Sequence, residues 1–176
     1  IYCVFKSGNK VLYDDKLQKT QEAKFANPDL QDTLEQYYPL TKNTLLMDKN
    51  FNPGRCRNYE LLEEVYGNNK QKIEKNLVNL KSGYANYQFN SCNGANIALD
   101  NALSELLALA KSNSKISNIL YPGSGTFNYR IISGTNRLSP HSFGIAIDLK
   151  SDNKDYWKWS SKENGEKRIN EYPEEL

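Results

Sequence analysis

Apolar and polar positions along the chain predict short strands at its start and helices farther on. Residues 1–5 and 11–13 are β-prone runs on either side of Ser7, Gly8 and Asn9, a hairpin pattern. Asn27, Pro28 and Asp29 read as an N-cap, a proline at the first helical position and an early acid. Leu30, Leu34 and Tyr37 or Tyr38 follow at helical spacing, and Pro39 is expected to stop that helix. Asn52, Pro53 and Gly54 signal a turn, residues 57–66 a helix with Gly67 at its C-cap, and Leu77, Val78 and Leu80 a short strand.

The strongest periodicity lies in residues 94–111. Leu99, Ala102, Leu103, Leu106 and Ala110 share one helical stripe while Asp100, Asn101 and Glu105 fall elsewhere, which predicts the main core helix. After Pro122, Gly123, Ser124 and Gly125, residues 127–132 read as a strand, 133–142 as a polar loop and 144–149 as a second strand. Tyr156, Trp157 and Trp159 follow, then a charged, glycine-containing loop. Pro173, Glu174 and Glu175 look like the first turn of a helix. These elements predict an α+β fold: a small antiparallel sheet carrying residues 144–149, flanked by helices. Residues 1–176 are expected to form one domain, with no internal repeat or linker to divide it.

Composition narrows the function classes. With 23 Lys+Arg against 21 Asp+Glu, the chain lacks the basic excess of a nucleic-acid binder. The 12 Tyr, 6 Phe and 2 Trp supply a core despite a mean hydropathy of −0.76. No apolar run approaches the ~20 residues of a membrane span. Cys3, Cys56 and Cys92 are far apart, which leaves their disulfide state open but excludes a structural zinc cluster. His141 is the only histidine, so no site needing two imidazoles can be completed within these residues.

Chemistry concentrates in residues 139–148. If residues 144–149 form a strand, Ile145, Ile147 and Leu149 face the core. Gly144, Ala146 and Asp148 then line a nearly bare opposite face that ends in a carboxylate. His141, in the loop before it, can turn its imidazole over that face. The pair is open to two readings: a hydrogen-bonded surface pair, or two-thirds of a catalytic zinc site, which typically has three protein ligands and one open position.

The full string, Ser139-Pro140-His141-Ser142-Phe143-Gly144-Ile145-Ala146-Ile147-Asp148, resembles the S-x-H-x-x-G-x-A-x-D signature of the zinc D-alanyl-D-alanine carboxypeptidases. These are the VanY-like metallopeptidases of peptidoglycan metabolism, and all five defined positions match. Residues 127–138 look like the approach to this motif in one subgroup. The resemblance implies an α+β fold shared with lysostaphin-type peptidases and the hedgehog signalling domain. It implies His141 and Asp148 as zinc ligands. Arg130 would bind the substrate carboxylate or scissile carbonyl, with a plain surface arginine as the alternative, and Arg137 is a weaker candidate for that role. Ser139 would orient the ligand loop or contact substrate.

The resemblance breaks downstream. The family completes its site with an acidic base and a second histidine, and nothing after Asp148 matches; Glu163, Glu166, Glu171, Glu174 and Glu175 read as solvated acids. The expectation is therefore a C-terminally truncated or catalytically lost form, with residues 91–176 an incomplete metallopeptidase core and residues 1–90 of uncertain role (sheet, lid or subdomain). As given, the chain should bind zinc weakly and be inactive, while its parent acts on peptidoglycan stem peptides as a carboxypeptidase, dipeptidase or endopeptidase. No nucleic-acid partner and no membrane span are expected, and the protein should be a monomer in the periplasm or outside the cell. The alternatives are a non-catalytic module that binds wall peptides or a protein, and a structural domain in which Gly144 and Ala146 are small for packing.

Overall fold

The computed structural model describes residues 1–37, 46, 54–83, 85–123, 125–151, 155–156 and 159–176. The fold is α+β, with helices and, among the described residues, two small antiparallel sheets. β1 (Tyr2–Val4) pairs with β2 (Lys10–Leu12) as the first apolar runs predict. α1 (Gln21–Ala26) is a short helix the sequence reading did not contain. α2 (Leu30–Leu34) starts two residues later than expected: Asp29, not Asn27, is the N-cap, in a capping box with Asp32. The proposed stop at Pro39, the turn at Asn52 and Pro53, and Trp157 lie outside the described residues.

Asp29 and Asp32 do more than cap. The Lys19 ammonium, with 7% of its side chain exposed, lies 2.7 Å from Asp15, 3.1 Å from Asp29 and 2.7 Å from Asp32. Burial alone would raise the Asp29 carboxyl, but the backbone N–H groups of Asp32 and Asp15 and the Lys19 charge outweigh it and hold it down at about 2. Asp32 is lowered too, its burial outweighed chiefly by Lys19 and Lys24. Depressed carboxylates stabilise the fold above their unfolded pKa of about 3.9 and lose that contribution as pH falls toward 2. Urea unfolding across pH should therefore show a drop in stability between about pH 4 and 2 that flattens in Asp29→Asn; an identical acid limb in the variant contradicts the network.

α3 (Tyr59–Tyr66) forms where predicted, capped by Asn58 and ended at Gly67. α4 (Lys70–Lys75) was not foreseen; it buries Ile73 completely. The short strand expected at Leu77 is β3 (Leu77–Ser82), paired with β4 (Ala85–Asn90) from Leu77–Asn90 to Ser82–Ala85. α5 (Ala95–Ala110) is the expected core helix. Its Leu103 packs with Ala85 and Tyr87 of β4, and Leu80, Leu99, Tyr121 and Ile147 close the cluster. Burying such a leucine is worth about 1.5–3 kcal/mol. α6 (Ser114–Leu120) adds buried Ile116 and Leu120.

Several expectations fail in the C-terminal part, the first being the strand at residues 127–132, where Ile131 makes only an isolated bridge to Leu138. Residues 144–149 form no strand among the described residues, Asp148 alone sitting in an isolated bridge: Gly144 is left-handed (φ 68°) and ends a 3-10 turn, Pro140–Phe143. The charged loop near residue 165 is instead α7 (Lys162–Glu171), capped by Ser161. Pro173 opens no helix, because α7 has just ended and Leu176 N–H closes a turn onto Pro173 O. Cys3, Cys56 and Cys92 are free thiols.

Candidate metal centre

The loop carrying His141 is fastened from several sides. Ser139, 3% exposed, is the N-cap of the 3-10 turn, and its hydroxyl accepts from His141 N–H at 3.3 Å. Gly144 N–H closes the turn onto His141 O at 3.1 Å. Fully buried Asn90, the last residue of β4, donates its side-chain N–H to Phe143 O (3.0 Å) and its backbone N–H to Gly144 O (2.7 Å). The buried Ser142 hydroxyl accepts from Arg130 N–H at 2.8 Å and lies 2.7 Å from Arg130 O. From α3, Tyr59 donates to Leu138 O at 2.9 Å. Residues 1–90 thus contribute β3–β4 and a set of braces to this loop.

The loop delivers the imidazole to Asp148. His141 Nε2 lies 3.2 Å from Asp148 Oδ1; the imidazole is 12% exposed and the carboxylate 58%. His141 Nδ1 is 2.7 Å from Thr126 O, a carbonyl that can only accept, so Nδ1 carries the proton. Nε2 and Oδ1 then face each other, a hydrogen-bonded pair when Nε2 carries a proton and two donor atoms open to a cation when it does not. Asp148 itself is tied to Gly125, whose carbonyl accepts Asp148 N–H at 3.0 Å.

Gly144 is bare for a reason other than the expected one. A Cβ there would stand 2.5 Å from Leu77 Cδ2, and its φ already favours glycine. The shared open face of Gly144, Ala146 and Asp148 therefore does not form. The glycine that makes room at the site is Gly125 (φ +56°), where a Cβ would lie 2.1 Å from Asp148 Oδ2. Gly125, Thr126, Ser142 and Asn90 are the supporting residues that sequence reasoning missed. Of these, only the Pro122–Gly125 cluster left a trace, as a chain break.

The other candidates spread out. Arg130 is exposed on the extended segment beside the loop, with no guanidinium partner among the described residues. Arg137 is committed elsewhere: its guanidinium donates to Phe25 O at 2.6 Å, tying the loop to α1. Glu163, Glu166 and Glu171 belong to α7, and Glu174 and Glu175 to the turn after it.

Donor chemistry at His141 and Asp148 fits zinc. Two donors about 2.0–2.1 Å from a tetrahedral ion stand about 3.3 Å apart, close to the separation of Nε2 and Oδ1. A backbone carbonyl on the second ring nitrogen is the usual outer partner of a ligating histidine. An acidic group elsewhere, Asp14, Asp15 and Asp29, brings carboxylate oxygens within 4.8 Å, but Lys16 already pairs with Asp14 and Lys19 with Asp15 and Asp29.

His141 and Asp148 thus bring an imidazole and a carboxylate together, with the carboxylate largely open to solvent. A family model described as D-alanyl-D-alanine carboxypeptidase matches residues 133–175, which include both donors and Ser139 but not Arg130. The chain is thus similar, over under half its length, to carboxypeptidase-type peptidases. No curated protein and no solved structure matches it. Among the described residues no helix is long and apolar enough to cross a membrane.

Proposed function

We propose that His141 and Asp148 are two of the three protein ligands of a catalytic zinc in a peptidase that acts on peptidoglycan stem peptides. The observation that carries the reading is the 3.2 Å approach of Nε2 to Oδ1 with Nδ1 engaged by Thr126 O. When bound, zinc supplies Lewis acidity for amide hydrolysis. The chain's own residues do the rest. Thr126 fixes the tautomer and ring orientation, Ser139 and Ser142 hold the loop, and Asp148 contributes negative charge. Arg130 clamps the terminal carboxylate of the substrate with paired N–H donors.

A second imidazole ligand is not among these residues, since His141 is the only histidine, and the acids after Asp148 do not match the family's general base. Losing acid–base help alone removes roughly two to four orders of magnitude of rate. Residues 1–176 with zinc should therefore release no measurable D-alanine from a stem peptide, while a product that supplies an acid and an imidazole from beyond residue 176 should. A completed product that neither binds zinc nor cleaves wall peptides refutes the proposal. The same single histidine favours a second reading, a wall-peptide binding module; it gains if the completed protein binds stem peptide without hydrolysing it. A peptidoglycan substrate places the protein outside the cytoplasmic membrane, acting as a monomer.

A further inference from the structure

Residues 127–132 run extended beside the His141 loop, and their backbone polar groups divide by parity. Asn128 N–H donates to His141 O (3.1 Å), Ile132 N–H to Arg137 O (2.8 Å) and Ser139 N–H to Arg130 O (3.0 Å). Arg130 N–H donates to Ser142 Oγ at 2.8 Å. One edge of the segment is thus taken up by residues 137–142. Ile131 and Leu138 face each other as the non-hydrogen-bonded pair of this bridge, so the N–H and C=O of Ile131 point the other way. Tyr129, two residues back in an extended chain, points its own pair along that same edge. Among the described residues nothing bonds to these four groups. Tyr129 is 37% and Ile131 56% exposed.

An open edge of alternating donors and acceptors is a template for another extended chain. We propose that this edge is the strand on which the peptide substrate docks, its backbone pairing with Tyr129 and Ile131 through up to four hydrogen bonds. Naming the occupant as substrate rests on the function proposed above.

Three observations favour that occupant. The segment continues from Thr126, whose carbonyl holds the His141 ring, so a peptide paired at Tyr129 needs only a few residues, at about 3.3 Å each, to reach Nε2 and Asp148. Arg130 lies between the two pairing residues, exposed and complementary to a peptide carboxylate. A second copy docked antiparallel about the same point would instead set Arg130 against Arg130.

Binding is tested on metal-free residues 1–176 with an acetylated L-Lys-D-Ala-D-Ala tripeptide, followed by amide NMR. Saturating peptide should slow hydrogen exchange at Tyr129 and Ile131 at least ~10-fold while changing Asn128 and Arg130, already bonded, far less. Ile131→Pro removes one outward N–H and none of the inner bonds, and should weaken binding about 5–10-fold. If that variant does not fold, a peptide N-methylated at its pairing amides should show the same loss against the wild-type chain. Absence of binding up to millimolar peptide overturns the proposal. So does binding that leaves exchange at residues 129 and 131 unchanged, or protection there that grows with protein concentration without peptide. Because no metal or turnover is involved, a peptide that protects the edge but is never cleaved by the completed, zinc-loaded protein sinks the peptidase reading and leaves the docking edge standing. Cleavage without edge protection does the reverse.

Discussion

Gly125→Ala should weaken zinc binding about 10–100-fold, the range expected when the outer support of a metal ligand is lost. The cause is steric. A Cβ at residue 125 would stand 2.1 Å from Asp148 Oδ2, 2.8 Å from its Cγ and 3.0 Å from its Cβ. To restore ordinary contact, the carboxylate must retreat by more than an ångström, while metal–ligand distances tolerate only about 0.2 Å. The φ of +56° adds a backbone penalty of about 1–2 kcal/mol for any residue with a Cβ. Zinc titration against a competing chelator measures the first effect and urea unfolding the second. Wild-type affinity in Gly125→Ala would mean that Asp148 does not hold the ion from where the structure sets it.

Phe143→Ala should cost about 3–5 kcal/mol, a large share of the ~5–15 kcal/mol available to a domain of this kind. Phe143 is completely buried, with its ring centroid 6.3 Å from that of Tyr59 on α3. Its carbonyl accepts from Asn90, so the cavity would open directly beneath the turn that presents His141. Phe143→Leu fills most of that volume and should cost about 1 kcal/mol. Denaturant melts of both variants read the difference; two nearly equal, small losses would show that the motif does not rest on a packed core.

Where periodicity was strong, the fold was legible. The stripe through Leu99, Leu103 and Leu106 marks α5, and Tyr59–Tyr66 ends at its glycine as read. The short helices α1, α4, α6 and α7 left weaker signals, because their lengths are set by side-chain caps at Thr20, Asn69, Asn113 and Ser161 more than by an apolar stripe. In α7, Gly165 suggested a loop, yet the cap at Ser161 carries the helix through it. Residues 145, 147 and 149 misled in the other direction. Their alternation is real and Ile147 does reach the core, but a left-handed Gly144 and the bond from Asn90 replace the expected ladder.

At the site, the approach of His141 to Asp148 was legible from the ten-residue string, although the physical reason given for it was not the operative one. The space for the carboxylate comes from Gly125, and the ring is aimed by Thr126 O, about fifteen residues upstream. Contacts of that kind depend on two loops meeting, and no local pattern encodes them. The bracing of the loop by Asn90 and Tyr59, across more than fifty residues, was equally out of reach of a local reading.

Because His141 is the sole histidine, its ring gives one unambiguous pair of nitrogen resonances. Adding zinc to residues 1–176 while observing them tests the site most directly. Nε2 should shift on binding while Nδ1 keeps its proton on Thr126 O, and Asp148→Asn should remove or sharply weaken the response. A ring that ignores zinc, or an Asp148→Asn variant that responds as the wild type does, would contradict the ligand assignment.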